Sequence, residues 1–175
     1  MSYDALAEKV DAFHERVRAR YPGALRCELG CSACCHQHLS VVPVEFERVA
    51  KAALALPAAA RTALGARLAA GRSDPRCPLL DDAGACRTYA ARPLICRSHG
   101  LPVALDDPPG RDVCPLNFEA GPALDALDGD CVLSLALINR ALGVIDRLAG
   151  GDGDRVDLVD GLRAVLTTAA EPRPR

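Results

Sequence analysis

The chain has no tryptophan, a single methionine and only 3% aromatic residues. So few rings leave no set of stacking platforms for single-stranded nucleic acid. A net charge of −2, with arginine and acid interspersed, makes no electrostatic footprint for a phosphate backbone either. Nucleic acid is therefore not an expected partner. Long apolar runs are missing too: the longest, "AALALPAAA" from Ala52 to Ala60, sits between Lys51 and Arg61 and contains a proline. It is too short to span a bilayer. The opening "MSYDALAEKVDAFHERVRAR" mixes charge with apolar residues and has no continuous apolar h-region, so neither a signal peptide nor a membrane association is expected. No phosphate-cradling glycine loop, dinucleotide fingerprint or Cys–His hydrolase signature occurs, and no catalytic residue is assigned.

What the chain does have is cysteine. Nine is an odd number, so disulfides cannot pair them all within one chain. At 175 residues and 50% hydrophobic, the sequence can bury a core without cross-links and fits a single domain over 1–175. The expected location is the cytoplasm, where reducing buffers disfavour structural disulfides. Four cysteines and two histidines crowd into "CELGCSACCHQH", Cys27 to His38. Such a nest fits metal ligation: thiols a few residues apart grip one ion from a turn in zinc and iron–sulfur sites.

The rest reads as mainly α, a small helical domain around an irregular, cysteine-rich, metal-binding central segment. Leu6, Val10, Phe13 and Val17 recur at helical spacing behind a candidate Asp4 cap, and Tyr21-Pro22-Gly23 stops that helix. A second helix starts at Pro43, with Phe46, Val49, Ala50, Ala53 and Leu54 on one face and Glu45 and Glu47 in its first turn. A third is expected over Pro57 to Ala70. The C-terminal part, about 122–168, is read as two helices. One is capped by Asp130 and runs along Cys131, Leu135, Ile138, Leu142 and Ile145 to Gly150-Gly151. The other is opened by Asp154 and runs along Val159, Leu162 and Leu166 to the frayed tail "EPRPR". Cys131 falls on the apolar stripe and is read as a packing residue.

Between Arg72 and Gly121 prolines alternate with Cys77, Cys86, Cys96 and Cys114, and neither a long helix nor strand alternation is visible. A segment of this kind needs anchors, and those four cysteines are the candidates. Cys77 and Cys114 are each followed by proline. Adjacent Cys34 and Cys35 are expected to point in different directions. Arg26, Arg76, Arg87 and Arg97 each stand beside a cysteine, where cations would offset an anionic thiolate centre. His36 and His38 are read as solvated or supporting, His99 as a donor or a surface loop residue, and His14 as lying on the exposed face of the first helix.

The nest followed by "CPLLDDAGACRTYAARPLICRSHGLP", Cys77 to Pro102, resembles the cysteine-cluster proteins of the YkgJ type, also described as a zinc- or iron-chelating CxxCxxCC domain. The matching pattern is a nest ending in Cys-Cys, a Cys-Pro-x-Leu, a core of Cys86, Tyr89, Arg92, Pro93, Cys96 and Arg97, and a later Cys-Pro at Cys114. It covers about residues 27–118. Cys27-x3-Cys31 is one residue longer than the family's nominal C-x2-C. The resemblance implies a metal or iron–sulfur centre, with Cys27, Cys31, Cys34, Cys35, Cys77, Cys86, Cys96 and Cys114 as candidate ligands. Tyr89 and Arg92 are candidates to brace the cluster loop. The leading expectation is an iron–sulfur cluster of the [4Fe-4S] type in a redox, sensing or accessory role, with a protein partner as a candidate. The alternative is a structural zinc protein with four-cysteine sites serving as an interaction module. A remoter one is a component of a protein lysine methylase, since some flagellin lysine N-methylases carry a similar domain.

Overall fold

The structure, a computed structural model, describes residues 1–69 and 71–170. In chain order the elements are α1 (Tyr3–Arg20), β1 (Ser40–Val41), α2 (Pro43–Leu54), α3 (Ala58–Ala69), α4 (Leu94–Ser98), β2 (Val103–Asp106), β3 (Pro109–Asp112), β4 (Leu133–Ser134), α5 (Leu135–Leu148), β5 (Val156–Asp157) and α6 (Leu158–Ala170). Short 3-10 turns lie between them. The chain is mainly α, as expected. The expected end of the third helix at Ala70 and the tail "EPRPR" lie outside the described residues.

Two compact units form. One comprises Met1–Glu28 and Leu94–Gly150, the other Leu29–Pro93 and the chain from Gly151 onward. In the first unit α1 packs against α4 and α5. Its apolar stripe Leu6, Val10, Phe13 and Val17 is buried. The N-cap is Ser2 rather than Asp4: the Ser2 hydroxyl accepts from the Ala5 amide at 3.2 Å, and Asp4 sits in the first turn, where its charge favours the dipole. His14 is mostly covered instead of exposed, its side chain only 18% accessible and its Nδ1 3.5 Å from Glu15.

The region expected to lack strands holds a hairpin. β2 and β3 pair antiparallel from Val103↔Asp112 to Asp106↔Pro109 around Asp107-Pro108, whose peptide bond is cis. These strands are four residues long and mostly half-buried or exposed, too short for alternation to reveal them. β2 also pairs in parallel with β4, Val103↔Leu133. That pairing moves the start of the fifth helix. Gly129–Cys131 is a 3-10 turn, Leu133–Ser134 is extended, and the Ser134 hydroxyl caps α5 by accepting from the Leu137 amide. Asp130 is therefore not the cap, and Cys131 precedes the helix, though it is buried.

The second unit is built on a core of Val41, Val49, Ala53, Leu64, Leu68, Leu79, Leu158, Val159 and Leu162. Pro43 starts α2, where its fixed φ suits a helix and its missing N–H costs nothing. Leu54, expected on the buried face, is exposed at the helix end. β1 pairs with β5, Ser40↔Asp157 and Val41↔Val156. This extended pair displaces the last helix start from Asp154 to Asp157, whose carboxylate accepts from the amides of Val159 and Asp160, both at 3.0 Å. α6 then crosses Phe46 closely enough that a Cβ on Gly161 would lie 2.6 Å from the Phe46 ring and 2.8 Å from Val156. Gly65, in α3, faces open space.

The two helical glycines are therefore expected to respond oppositely. Gly65→Ala removes backbone freedom from the unfolded chain and should stabilise by roughly 0.5–1 kcal/mol. Gly161→Ala must push Phe46 aside and should cost about 1–3 kcal/mol. Thermal or denaturant unfolding of the two variants checks the pair, and a stabilising Gly161→Ala would contradict the close crossing.

Candidate metal centre

No disulfide joins any of the nine cysteines. Of the eight candidate ligands, Cys31, Cys34, Cys35, Cys77 and Cys86 belong to the second unit, and Cys27, Cys96 and Cys114 to the first. Cys131, the ninth, is 1% exposed, and burial, helped by nearby Asp130, raises its thiol pKa. It packs as an apolar residue, as expected.

In the second unit two segments far apart in sequence meet. Ala33–Cys35 makes one turn of 3-10 helix, closed by the Cys35 amide on the Ser32 carbonyl at 2.9 Å. The Cys35 carbonyl accepts from the Cys77 amide at 2.7 Å. Cys77-Pro78-Leu79-Leu80 is a β-turn with proline second, where its φ is pre-set, and the Leu80 amide returns to the Cys77 carbonyl at 3.1 Å. Leu79 and Leu80 leave the turn into the interior, each 3% exposed, and drag the Cys77 thiol to the edge of the core. The chain then doubles back. Asp81 receives the amides of Ala83 and Ala85 on its carboxylate, Gly84 takes φ +80°, and the Arg87 amide reaches the Leu79 carbonyl at 2.8 Å. This tight reversal brings Cys86 back beside Leu80. Its sulfur lies 3.7 Å from the hydroxyl of buried Thr88.

Cys34, Cys35, Cys77 and Cys86 thereby share one neighbourhood. The Cys34 thiol is hydrogen-bonded to Cys35, and that bond, followed by burial, raises its pKa well above the ordinary thiol value. The adjacent pair thus does not point apart: the tight turn brings the two thiols together. Burial pushes Cys77 up to about 11, with the nearby Cys86 and Cys34 adding to it. Two cations act the other way, Arg92 on Cys34 and Arg67 on Cys77. These are not the arginines that sequence adjacency singled out. Arg26 pairs with Glu119 at 3.0 Å, Arg76 with Asp74 at 3.5 Å and Arg97 with Asp11 at 2.5 Å, while the Nε of Arg87 is buried without a hydrogen-bond partner. Arg92 lies 3.5 Å over the Tyr89 ring and donates to the Tyr89 carbonyl at 3.0 Å, so the two residues expected to brace the cluster loop hold each other. His36 and His38 are exposed.

In the first unit Cys114-Pro115-Leu116-Asn117 repeats the Cys77 turn, with the Asn117 amide on the Cys114 carbonyl at 2.8 Å. Cys96 sits in α4, which Pro93 precedes, and Cys27 receives the carboxamide of buried Asn117 on its sulfur at 3.2 Å. Asn117 was missed in sequence. Its only signal was its place three residues after the cysteine of a Cys-Pro pair.

Among the described residues no three histidine, cysteine, aspartate or glutamate side chains stand arranged to hold a metal ion. The donor chemistry nonetheless fits one. Four soft sulfurs share one neighbourhood, and two of them, Cys34 and Cys77, have raised pKa values with an arginine acting on each; a thiophilic ion would deprotonate such thiols and draw the sulfurs together.

Residues 26–110 match a protein-family model described as "CxxCxxCC: Putative zinc- or iron-chelating domain". That stretch is similar to the CxxCxxCC domains. The match contains seven of the candidate ligands and stops before Cys114, so the second Cys-Pro turn lies beyond it. Metal chelation by this chain accords with that match and with the resemblance to YkgJ-type cysteine-cluster proteins. No curated protein and no solved structure matches the chain. No helix among the described residues is long and apolar enough to cross a membrane.

Cys131 supplies the control for any ligand test on this chain. Cys131→Ala is expected to lower stability by roughly 1 kcal/mol through the lost buried sulfur and to leave bound metal per chain unchanged. Metal analysis beside thermal unfolding checks this, and metal loss without destabilisation would contradict it.

Proposed function

We propose that this protein binds an iron–sulfur cluster of the [4Fe-4S] type through its cysteines and uses it in a redox, sensing or accessory role toward a protein partner. The observation that carries the reading is the meeting of Cys34, Cys35, Cys77 and Cys86, fixed by the Cys77 amide on the Cys35 carbonyl at 2.7 Å. We take these four thiolates as the nucleus of the ligand set in the second unit, with Cys31 beside them in sequence, and Cys27, Cys96 and Cys114 as the candidate ligands of the first unit. When bound, the cluster supplies a one-electron couple. The chain itself supplies soft, half-buried donors and the cations Arg67 and Arg92 to offset thiolate charge. A reducing, cytoplasmic setting suits nine thiols without a disulfide.

A second reading rests on the same four sulfurs. Four cysteines from two segments also suit a tetrahedral structural zinc site, and a zinc protein would act as an interaction module. The lysine methylase reading has no support of this kind.

Anaerobic purification with metal and sulfide analysis and a visible spectrum separates the two. Cluster thiolates absorb broadly in the visible, whereas zinc has a filled d shell and gives no colour. The expected result is a brown protein with iron and acid-labile sulfide, and Cys77→Ala and Cys86→Ala each empty it. Colourless protein with stoichiometric zinc, unchanged by iron and sulfide reconstitution, would establish the zinc reading. Undiminished metal in both variants would refute the four-thiol nucleus.

A further inference from the structure

Cys27 is the outlier of the ligand pattern, one residue further from Cys31 than the C-x2-C spacing sets, and it stands in a different unit from the four-thiol group. Its sulfur is nevertheless closely supported. Asn117 is 3% exposed, and its carboxamide is engaged at both ends. Its Oδ1 accepts from the Arg26 amide at 2.8 Å. Its Nδ2 donates to the Gly100 carbonyl at 2.6 Å and to the Cys27 sulfur at 3.2 Å. One side chain thus fixes the backbone just before Cys27 and the thiol itself.

The surroundings have been shaped to that contact. Gly100 has φ +94°, and a Cβ there would lie 2.3 Å from the Cys27 sulfur and 2.9 Å from the Asn117 nitrogen, so only glycine admits both. The residue after Asn117, Phe118, holds φ 58°, a left-handed conformation uncommon for a bulky side chain. It is retained by its amide on the Ala24 carbonyl at 2.7 Å and its ring against Tyr21, centroids 5.6 Å apart. The Arg18 guanidinium adds a bond to the Cys27 carbonyl at 3.0 Å. A thiol that only filled space would need none of these. A neutral sulfur is a weak acceptor, whereas a metal-bound thiolate gains from a fixed N–H donor and from a fixed direction.

We propose that Asn117 is the positioning residue for Cys27, its carboxamide holding the sulfur in place as a metal ligand against the glycine turn at Gly100. The inference rests on the reading of Cys27 as a ligand. It adds a supporting residue outside the family-matched segment and explains how an irregularly spaced cysteine serves that role.

The test is release of Zn(II), loaded into the metal-free full chain, to a chromogenic chelator, measured for the wild type, Cys27→Ala, Asn117→Ala, Asn117→Asp and the Cys27→Ala/Asn117→Ala double variant. Asn117→Asp keeps the acceptor for the Arg26 amide and removes the donor to sulfur, so it serves where the alanine variant does not fold. The expected result is release at least tenfold faster in both single Asn117 variants and in Cys27→Ala, with the double variant no faster than Cys27→Ala. Thermal stability should fall on Asn117→Ala in either background, because the bonds to Arg26 and Gly100 are lost in both. Wild-type release rates in both Asn117 variants, with fast release in Cys27→Ala, would overturn the positioning role and leave Cys27 a ligand. An equal acceleration by Asn117→Ala with and without Cys27 would overturn it too, as general loosening. Wild-type release in Cys27→Ala would instead refute the ligand reading of Cys27 itself.

Discussion

The backbone bond from the Cys77 amide to the Cys35 carbonyl, 2.7 Å long, is the constraint on which the arrangement of the second unit turns. It joins a cysteine nest to the Cys77–Arg87 segment, which has no helix or named strand of its own to place it. Neighbouring features make the joint firm rather than incidental. Pro78 pre-sets the turn, and Leu79 and Leu80 anchor it in the core. The Asp81–Gly84 reversal returns Cys86 to the Cys77 turn. The result is a thiol group at the margin of an apolar core. The hydrogen bond from Cys35 on Cys34 and burial on Cys77 oppose ionisation there, and Arg92 and Arg67 act the other way.

The two Cys-Pro pairs show how a weak sequence signal acquires a physical meaning. In "CPLL" and "CPLN" the cysteine is the first residue of a β-turn, the proline the second, and the amide of the fourth residue closes on the cysteine carbonyl. Proline there reduces the entropy lost on forming the turn and leaves the thiol at its entrance. The fourth residue sets the two turns apart. In the first it is a leucine that sinks into the core, and in the second it is Asn117, whose carboxamide reaches Cys27. One local device serves an apolar anchor in one unit and a polar clamp in the other.

Much of this was legible in the sequence, and the failures have local causes. The helices with clear 3.6-residue stripes were readable from Leu6, Val10, Phe13 and Val17 or from Val49 and Ala53, because periodic burial leaves a periodic record. Helix starts were misplaced at Asp130 and Asp154, since short strand pairings, Leu133 with Val103 and Ser40 with Asp157, hold the chain extended past those residues. No local pattern records a two-residue strand whose partner is distant. The cations acting on Cys34 and Cys77 were not legible for a related reason. Sequence neighbours of cysteine turned to Glu119, Asp74 and Asp11, while Arg67 on α3 and Arg92 on its tyrosine ring took their place. The candidate thiols themselves were visible because crowded cysteines have few other uses. Asn117 was not, because its significance lies in what folding brings beside it.

The central claim is that metal held by the four thiols orders the segment carrying Cys77 and Cys86. Amide hydrogen exchange of the full chain, before and after anaerobic removal of its metal by a strong chelator, tests it most directly. The account expects slow exchange at the amides of Cys77, Leu80, Ala85 and Arg87 with metal bound and exchange at least tenfold faster without it. The amides inside α2 and α6, packed on the apolar core, should change far less. Equal protection of the Cys77–Arg87 amides in the two states would contradict the claim.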